Sequence, residues 1–256
     1  MATFNSGNPT LTEKIFDKSL NENAKAFGVM TVRGTINKFG FMLLMLMGGA
    51  MYEWSIYTKE TQGTATTLML VGAIGGFILA MIMMFKPKWA GYLAPGYAIL
   101  EGFFIGGISA YFNTVFAERY PNMIIHAVGL TMGVALAMFL LYNFRIINVT
   151  NRLRSIIMSA TMGIALFYLI VWVLSLFGID MGFGPNDGSL LSIGISLFIV
   201  GIAAFNLLLD FDSIEKAAEM GAPKFMEWYG AFGLLVTLVW LYLEILKLLS
   251  KLNSRD

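Results

Sequence analysis

Residues 61–85 read TQGTATTLMLVGAIGGFILAMIMMF, a stretch of 25 positions without a formally charged side chain. A helix that crosses a bilayer needs about 20 mainly apolar residues, at a rise of about 1.5 Å per residue. The stretch is therefore long enough to span a membrane. It ends at Lys86, Pro87 and Lys88, which bring charge and a helix-breaking residue.

The composition of the whole chain points the same way. Of its 256 residues, 57% are hydrophobic and only 13% are charged, whereas soluble domains carry roughly 25% charged residues. The formal net charge of +1 argues against a nucleic-acid-binding protein. The lack of cysteine excludes disulfides and thiolate metal sites. We therefore expect an integral membrane protein.

Charge-poor runs recur along the chain and predict an all-α fold with seven transmembrane helices, which account for residues 37–250. Residues 1–36 are left as a polar N-terminal arm. Two groups of glycines are spaced for close contact between helices, as is common in membranes. The predicted spans are about 38–57, 66–85, 90–112, 123–143, 155–178, 189–209 and 228–249, and the glycines are Gly72, Gly75, Gly76, Gly102, Gly106 and Gly107.

The distribution of lysine and arginine predicts the orientation, because cytoplasmic loops retain these residues. In a seven-span topology, 12 of the 17 cations fall on the side of the N-terminal arm, so we place the N-terminus in the cytoplasm. Three cations run against this rule, because the seventh span ends on the opposite side: Lys247 near the end of that span, and Lys251 and Arg255 after it.

Motifs for enzymatic chemistry are missing from the sequence. It has no phosphate-binding glycine-rich loop, no nucleophile elbow and no His-Glu-x-x-His motif. The single histidine, His126, lies near the start of the fourth span, where an interfacial or packing role is favoured over proton transfer. We expect neither an enzyme nor a bound cofactor.

Acidic residues within spans are different, because an ionisable group inside a membrane commonly marks an ion or proton pathway. Glu101 lies near the middle of the third span. Hydrocarbon disfavours its charged form. It is interpreted either as a pathway residue or as a protonated carboxyl tied to a neighbouring helix.

Asp210 and Asp212 lie where the sixth charge-free run ends. Carboxylates at a helix C-terminus face the negative end of the helix dipole. The pair is therefore either exposed on a cytoplasmic loop or directed inward to a partner. Asn206, four residues before Asp210, shares its helix face and favours the inward alternative.

Residues 212–219, before Gly221-Ala-Pro223, predict a separate short amphipathic helix.

Glu244 lies three residues before Lys247 near the end of the seventh span. From spacing alone, an ion pair within one helix explains both residues.

Several stretches resemble the Bax inhibitor-1 family, and three of them resemble its bacterial YccA-like branch. The family pattern is Asp210-Phe-Asp-Ser-Ile214-Glu at the end of the sixth span. The branch is indicated by residues 30–38, 100–109 and 224–247, of which the last is the most specific.

This resemblance implies six helices around a central seventh, and a pH-sensitive calcium leak gated by protonation of two intramembrane acids. The acids correspond here to Asp210, in an Asp-x-x-x-Ile pattern, and to Glu244, in Leu241-Tyr-Leu-Glu244. Asp212 and Asn206 could add oxygen ligands for calcium as the permeant ion. The predicted calcium ligands are Asp210, Asp212 and Glu244.

The separation between Asp210 and Glu244 is longer than in the typical family pattern. A straight helix from Lys224 would place Glu244 roughly 30 Å away, at the opposite membrane face. A pair therefore requires that part of residues 224–240 be re-entrant, which would also bring the tail cations to the cytoplasmic side.

Two other functions stay open. The YccA-like branch suggests a non-conducting regulator in the bacterial inner membrane that binds membrane proteins, such as a membrane-anchored quality-control protease, through its N-terminal arm. A proton-coupled transporter is least favoured, because only Pro95 clearly interrupts a span.

Overall fold

The computed structural model describes residues 28–57, 61–179 and 187–254. In these ranges the chain forms seven long α-helices and one 3₁₀ turn, Pro87–Trp89. All seven helices are long and apolar enough to cross a membrane, which confirms the predicted all-α, seven-span fold class. The helices are α1 (Val32–Ile56), α2 (Gln62–Phe85), α3 (Ala90–Phe116), α4 (Met123–Asn143), α5 (Asn151–Leu176), α6 (Leu190–Glu219) and α7 (Met226–Asn253).

The N-terminal arm overlaps the first helix. Most of it, residues 1–27, lies outside the described residues. Helix α1 begins at Val32 because the Thr31 side chain accepts a hydrogen bond from the Gly34 N–H and caps the helix. Residues 32–36 of the expected arm are therefore helical.

Helix α6 runs on past its apolar part. The separate amphipathic helix expected at residues 212–219 is wrong, because Leu190–Glu219 is one helix that includes Asp210 and Asp212. No helix-breaking residue occurs before Gly221, whose φ of 72° closes the helix in the left-handed conformation.

Helix α7 is also unbroken over Met226–Asn253, so the re-entrant segment that an Asp210–Glu244 pair requires is not formed. The end of α7 lies near the start of α6, since Lys251 interacts electrostatically with Asp187. The apolar stretch of α7 is 72% buried, whereas that of no other described helix exceeds 44%. The arrangement of six helices around the seventh stays a prediction.

Two compact units can be distinguished within the described residues. Unit 1 comprises residues 28–57, 61–114 and 210–236, and unit 2 comprises residues 115–179, 187–209 and 237–254. Helices α6 and α7 each contribute one part to each unit.

Within unit 1, glycines bring α3 against both α1 and α2. A Cβ atom on Gly102 would lie 2.4 Å from the Leu46 carbonyl oxygen, and one on Gly72 would lie 2.4 Å from the Leu100 carbonyl oxygen. Gly106 meets the α1 backbone at Ala50 in the same way, Gly107 meets the Met69 side chain of α2, and Gly75 and Gly76 contact α3. The predicted packing role of these glycines is confirmed.

Candidate functional site: buried acids in the helices

Asp210 and Asp212 both point into the protein. Their residues are 0% and 7% exposed, so the alternative of a water-exposed loop is wrong. The Lys216 ammonium donates a hydrogen bond of 2.7 Å to the Asp212 carboxylate, one helical turn away. Asp212 therefore has a counter-charge on its own helix.

Asn206 is buried, and it bonds within unit 2. Its side-chain amide donates to the Thr161 hydroxyl oxygen at 2.8 Å and to the Ile202 carbonyl oxygen at 2.9 Å. The amide thus links α6 to α5. The inward polar face that the spacing of Asn206 and Asp210 predicts is present, since both residues are buried.

Glu101 is buried between α3 and α2. Its carboxyl accepts a hydrogen bond from the Tyr97 hydroxyl, one turn earlier on the same helix. One carboxyl oxygen lies only 3.1 Å from the position of a Cβ on Gly76. The Tyr97 ring packs edge-on against Phe232 of α7, with 4.9 Å between ring centroids. The bonding partner is thus on its own helix, whereas one sequence interpretation had placed it on a neighbouring helix.

Glu244 forms a compact polar cluster in unit 2. The Tyr168 hydroxyl lies 3.0 and 2.9 Å from the two carboxylate oxygens, and the Lys247 ammonium lies 3.1 Å from one of them. Lys247 also lies 4.6 Å from the centroid of the Tyr168 ring. The pair within one helix that the spacing predicts is confirmed. Tyr168 was missed, because no spacing rule connects residues 168 and 244.

We expect Tyr168→Phe to destabilise the protein by about 1–2 kcal/mol, since it leaves a buried carboxylate with one donor fewer. Denaturant unfolding in detergent micelles measures this change. Tyr92→Phe is the matched control, because Tyr92 is 88% exposed. Equal effects of the two substitutions would show that the Tyr168 hydroxyl contributes no net stability.

Glu227 was not singled out in the sequence, yet its carboxylate bonds to three residues of unit 1. The carboxylate accepts hydrogen bonds from the Thr31 N–H at 3.0 Å, the Thr31 hydroxyl at 2.9 Å and the Lys38 ammonium, and it forms an ion pair with Lys224 at 2.8 Å. It occupies the space that a Cβ on Gly34 would fill. The sequence signal was Glu227 in the first turn of α7, where the helix dipole favours an acid.

The same region holds residues 28–31 against the α6–α7 connection. The Met30 N–H donates to the Ala222 carbonyl at 2.7 Å, and the Lys224 N–H donates to the Gly28 carbonyl at 3.0 Å. An antiparallel bridge joins Val29 to Pro223. We refer to residues 28–31 as the N-terminal strap.

Asp187 and His126 lie outside these clusters. The Ser189 N–H donates to the Asp187 carboxylate at 3.0 Å, and this bond holds the pKa of Asp187 below its ordinary value. His126 is exposed and stacks on Tyr120 at 5.5 Å, which agrees with an interfacial role.

Within the described ranges, no three acidic or histidine side chains converge into a group that could hold a metal ion. The calcium ligand set of Asp210, Asp212 and Glu244 stays a prediction.

The comparison with protein families decides the identity. A family model described as Bax inhibitor 1 like matches residues 8–254, nearly the whole chain. The chain belongs to this family. No curated protein and no solved structure matches it. For this Bax inhibitor 1-like protein, the acids buried in its helices are the candidate functional groups.

Proposed function

We propose that this Bax inhibitor 1-like protein is a pH-sensitive, calcium-permeable leak channel in which protonation of Asp210 controls the flux. The observation that carries the proposal is the complete burial of Asp210 inside the unbroken helix α6. Family membership supports it, since the resemblance implies an ion leak controlled by an acid at this position.

An ionised carboxylate inside a membrane is costly, so its protonation state responds to small changes in its surroundings and alters the local field for a passing cation. Asp212 forms an ion pair with Lys216. We assign control of the flux to Asp210, because it is fully buried and because the family resemblance implies a controlling acid at this position. Glu244, bonded to Tyr168 and Lys247, is proposed as a second pathway acid rather than as the partner of Asp210.

The test is calcium flux into liposomes that contain the purified protein, measured between about pH 6 and 8, where a buried carboxyl can titrate. Asp210→Asn mimics the protonated acid, so we expect its flux at every pH to equal the low-pH flux of the wild type. Glu219→Gln is the control, because Glu219 is exposed at the end of the same helix, and it should keep the wild-type pH profile. No flux from the wild type at any pH would contradict the proposal.

A second function, a regulator that binds a membrane-anchored quality-control protease in a bacterial inner membrane, is favoured by a different observation. The N-terminal strap is fixed to the α6–α7 connection, so the polar arm that precedes it starts from a defined position. Deleting residues 1–27 separates the two functions. A regulator should lose its effect on the protease, whereas a channel should keep its calcium flux.

A further inference from the structure

Glu53 stands out among the acids of unit 1, because it is buried and no residue that the structure describes donates a hydrogen bond to it. The residue is 0% exposed, although it lies on α1 only three positions before the helix ends at Ile56. Both carboxyl oxygens are inaccessible, and no described residue bonds to either of them. From the sequence alone, Glu53 reads as an acid tolerated near the end of a span.

The contact of Glu53 with α3 is close and apolar. The Cβ of Glu53 lies 2.9 Å from the position that a Cβ on Gly106 would take, so the α3 backbone covers this side chain. Glu101, the buried acid of α3, bonds to Tyr97 and faces Gly76 of α2. Tyr111, farther along α3, is exposed.

Three ion pairs of unit 1 that the structure describes lie elsewhere. Lys38 is on the same helix as Glu53, but 15 residues away, or about 22 Å along the axis, and it bonds to Glu227. Lys224 is also engaged with Glu227, and Lys216 with Asp212. None of these three lysines therefore serves as the counter-charge of Glu53.

An ionised carboxylate that is buried without a partner is strongly disfavoured, and such a group takes up a proton instead. We propose that Glu53 is a proton-binding site of unit 1, which holds its proton at neutral pH. Its ligand is the proton itself, and both carboxyl oxygens are inaccessible to water.

Infrared difference spectroscopy tests the protonation state directly, because the C=O stretch of a carboxylic acid is separate from the bands of a carboxylate. The Glu53→Gln spectrum at pH 7 should lack a protonated-acid band that the wild type shows. Glu118→Gln is the control: Glu118 is exposed, so its replacement should remove only carboxylate absorption. Loss of carboxylate absorption in Glu53→Gln would overturn the proposal.

Unfolding experiments provide a second readout that does not depend on band assignment. Glutamine reproduces the shape of a neutral carboxyl, so Glu53→Gln should unfold at the wild-type denaturant midpoint. Glu53→Met removes an unsatisfied polar group and should raise the midpoint. If both variants unfold at lower denaturant concentration than the wild type, Glu53 is an ionised and paired residue and the inference is wrong.

Discussion

Gly102→Ala is expected to destabilise the protein by about 3 kcal/mol, the upper end of the usual cost of overpacking. The added Cβ would lie 2.4 Å from the Leu46 carbonyl oxygen and about 3.0 Å from backbone atoms of Gly49 and Ala50. These obstacles are backbone atoms of a helix, so no side-chain rotation can relieve them, and α1 and α3 must move apart. Denaturant unfolding in micelles measures the loss.

Gly48→Ala is the control for this prediction. Gly48 precedes the contact residue Gly49 on the same helix, but a Cβ at position 48 would meet no atom within 4 Å. Its replacement should be neutral or should stabilise the helix by up to about 1 kcal/mol, because alanine has the higher helix propensity. If Gly102→Ala is as stable as Gly48→Ala, the close approach of α1 and α3 is incorrect.

Glu227→Gln is expected to lower the free energy of unfolding by about 2–3 kcal/mol. It removes the charge that two lysines share and leaves their ammonium groups next to a neutral amide. The Glu227 side chain is fully buried, whereas the side chain of Lys38 is 20% exposed, so water compensates part of the loss. Unfolding in micelles gives the size of the effect. Gly34→Ala should reproduce part of it, since its Cβ would displace the carboxylate.

The two lysines supply an internal comparison for the Glu227 prediction. The Lys224 side chain is 49% exposed, so Lys224→Met should cost less than about 1 kcal/mol, as exposed ion pairs do. Lys38→Met should cost more, because the Lys38 side chain is better buried and also lies 5.5 Å from the centroid of the Trp228 ring. A larger loss of stability in Lys224→Met than in Lys38→Met would show that burial does not determine the strength of these ion pairs.

The candidate site could be predicted only where its contacts are local. The Glu244–Lys247 pair follows from residues three apart on one helix. The inward direction of Asp210 also follows from a local pattern, since Asn206 shares its face. The Tyr168 bond to Glu244 joins residues 76 positions apart, and the Thr31 bond to Glu227 joins residues 196 positions apart. No pattern along the chain encodes contacts of that separation.

The importance of Glu53 was also out of reach of the sequence. A carboxylate near the end of an apolar run usually reaches the polar interface, and nothing in residues 50–56 excludes that. Its burial depends on Gly106, which lies on another helix and lacks the side chain that would hold α3 away.

The sequence by itself determined the number of spans and the packing role of the glycines, because hydrocarbon excludes charge and because small residues allow backbones to approach. The tertiary structure decided the length of α6, the unbroken course of α7 and the partner of each acid. Both helices run on through polar residues, because a change from apolar to polar side chains marks the edge of the membrane and does not end a helix. The partner of a buried acid depends on which helices pack together, and this arrangement is set by contacts between distant parts of the chain.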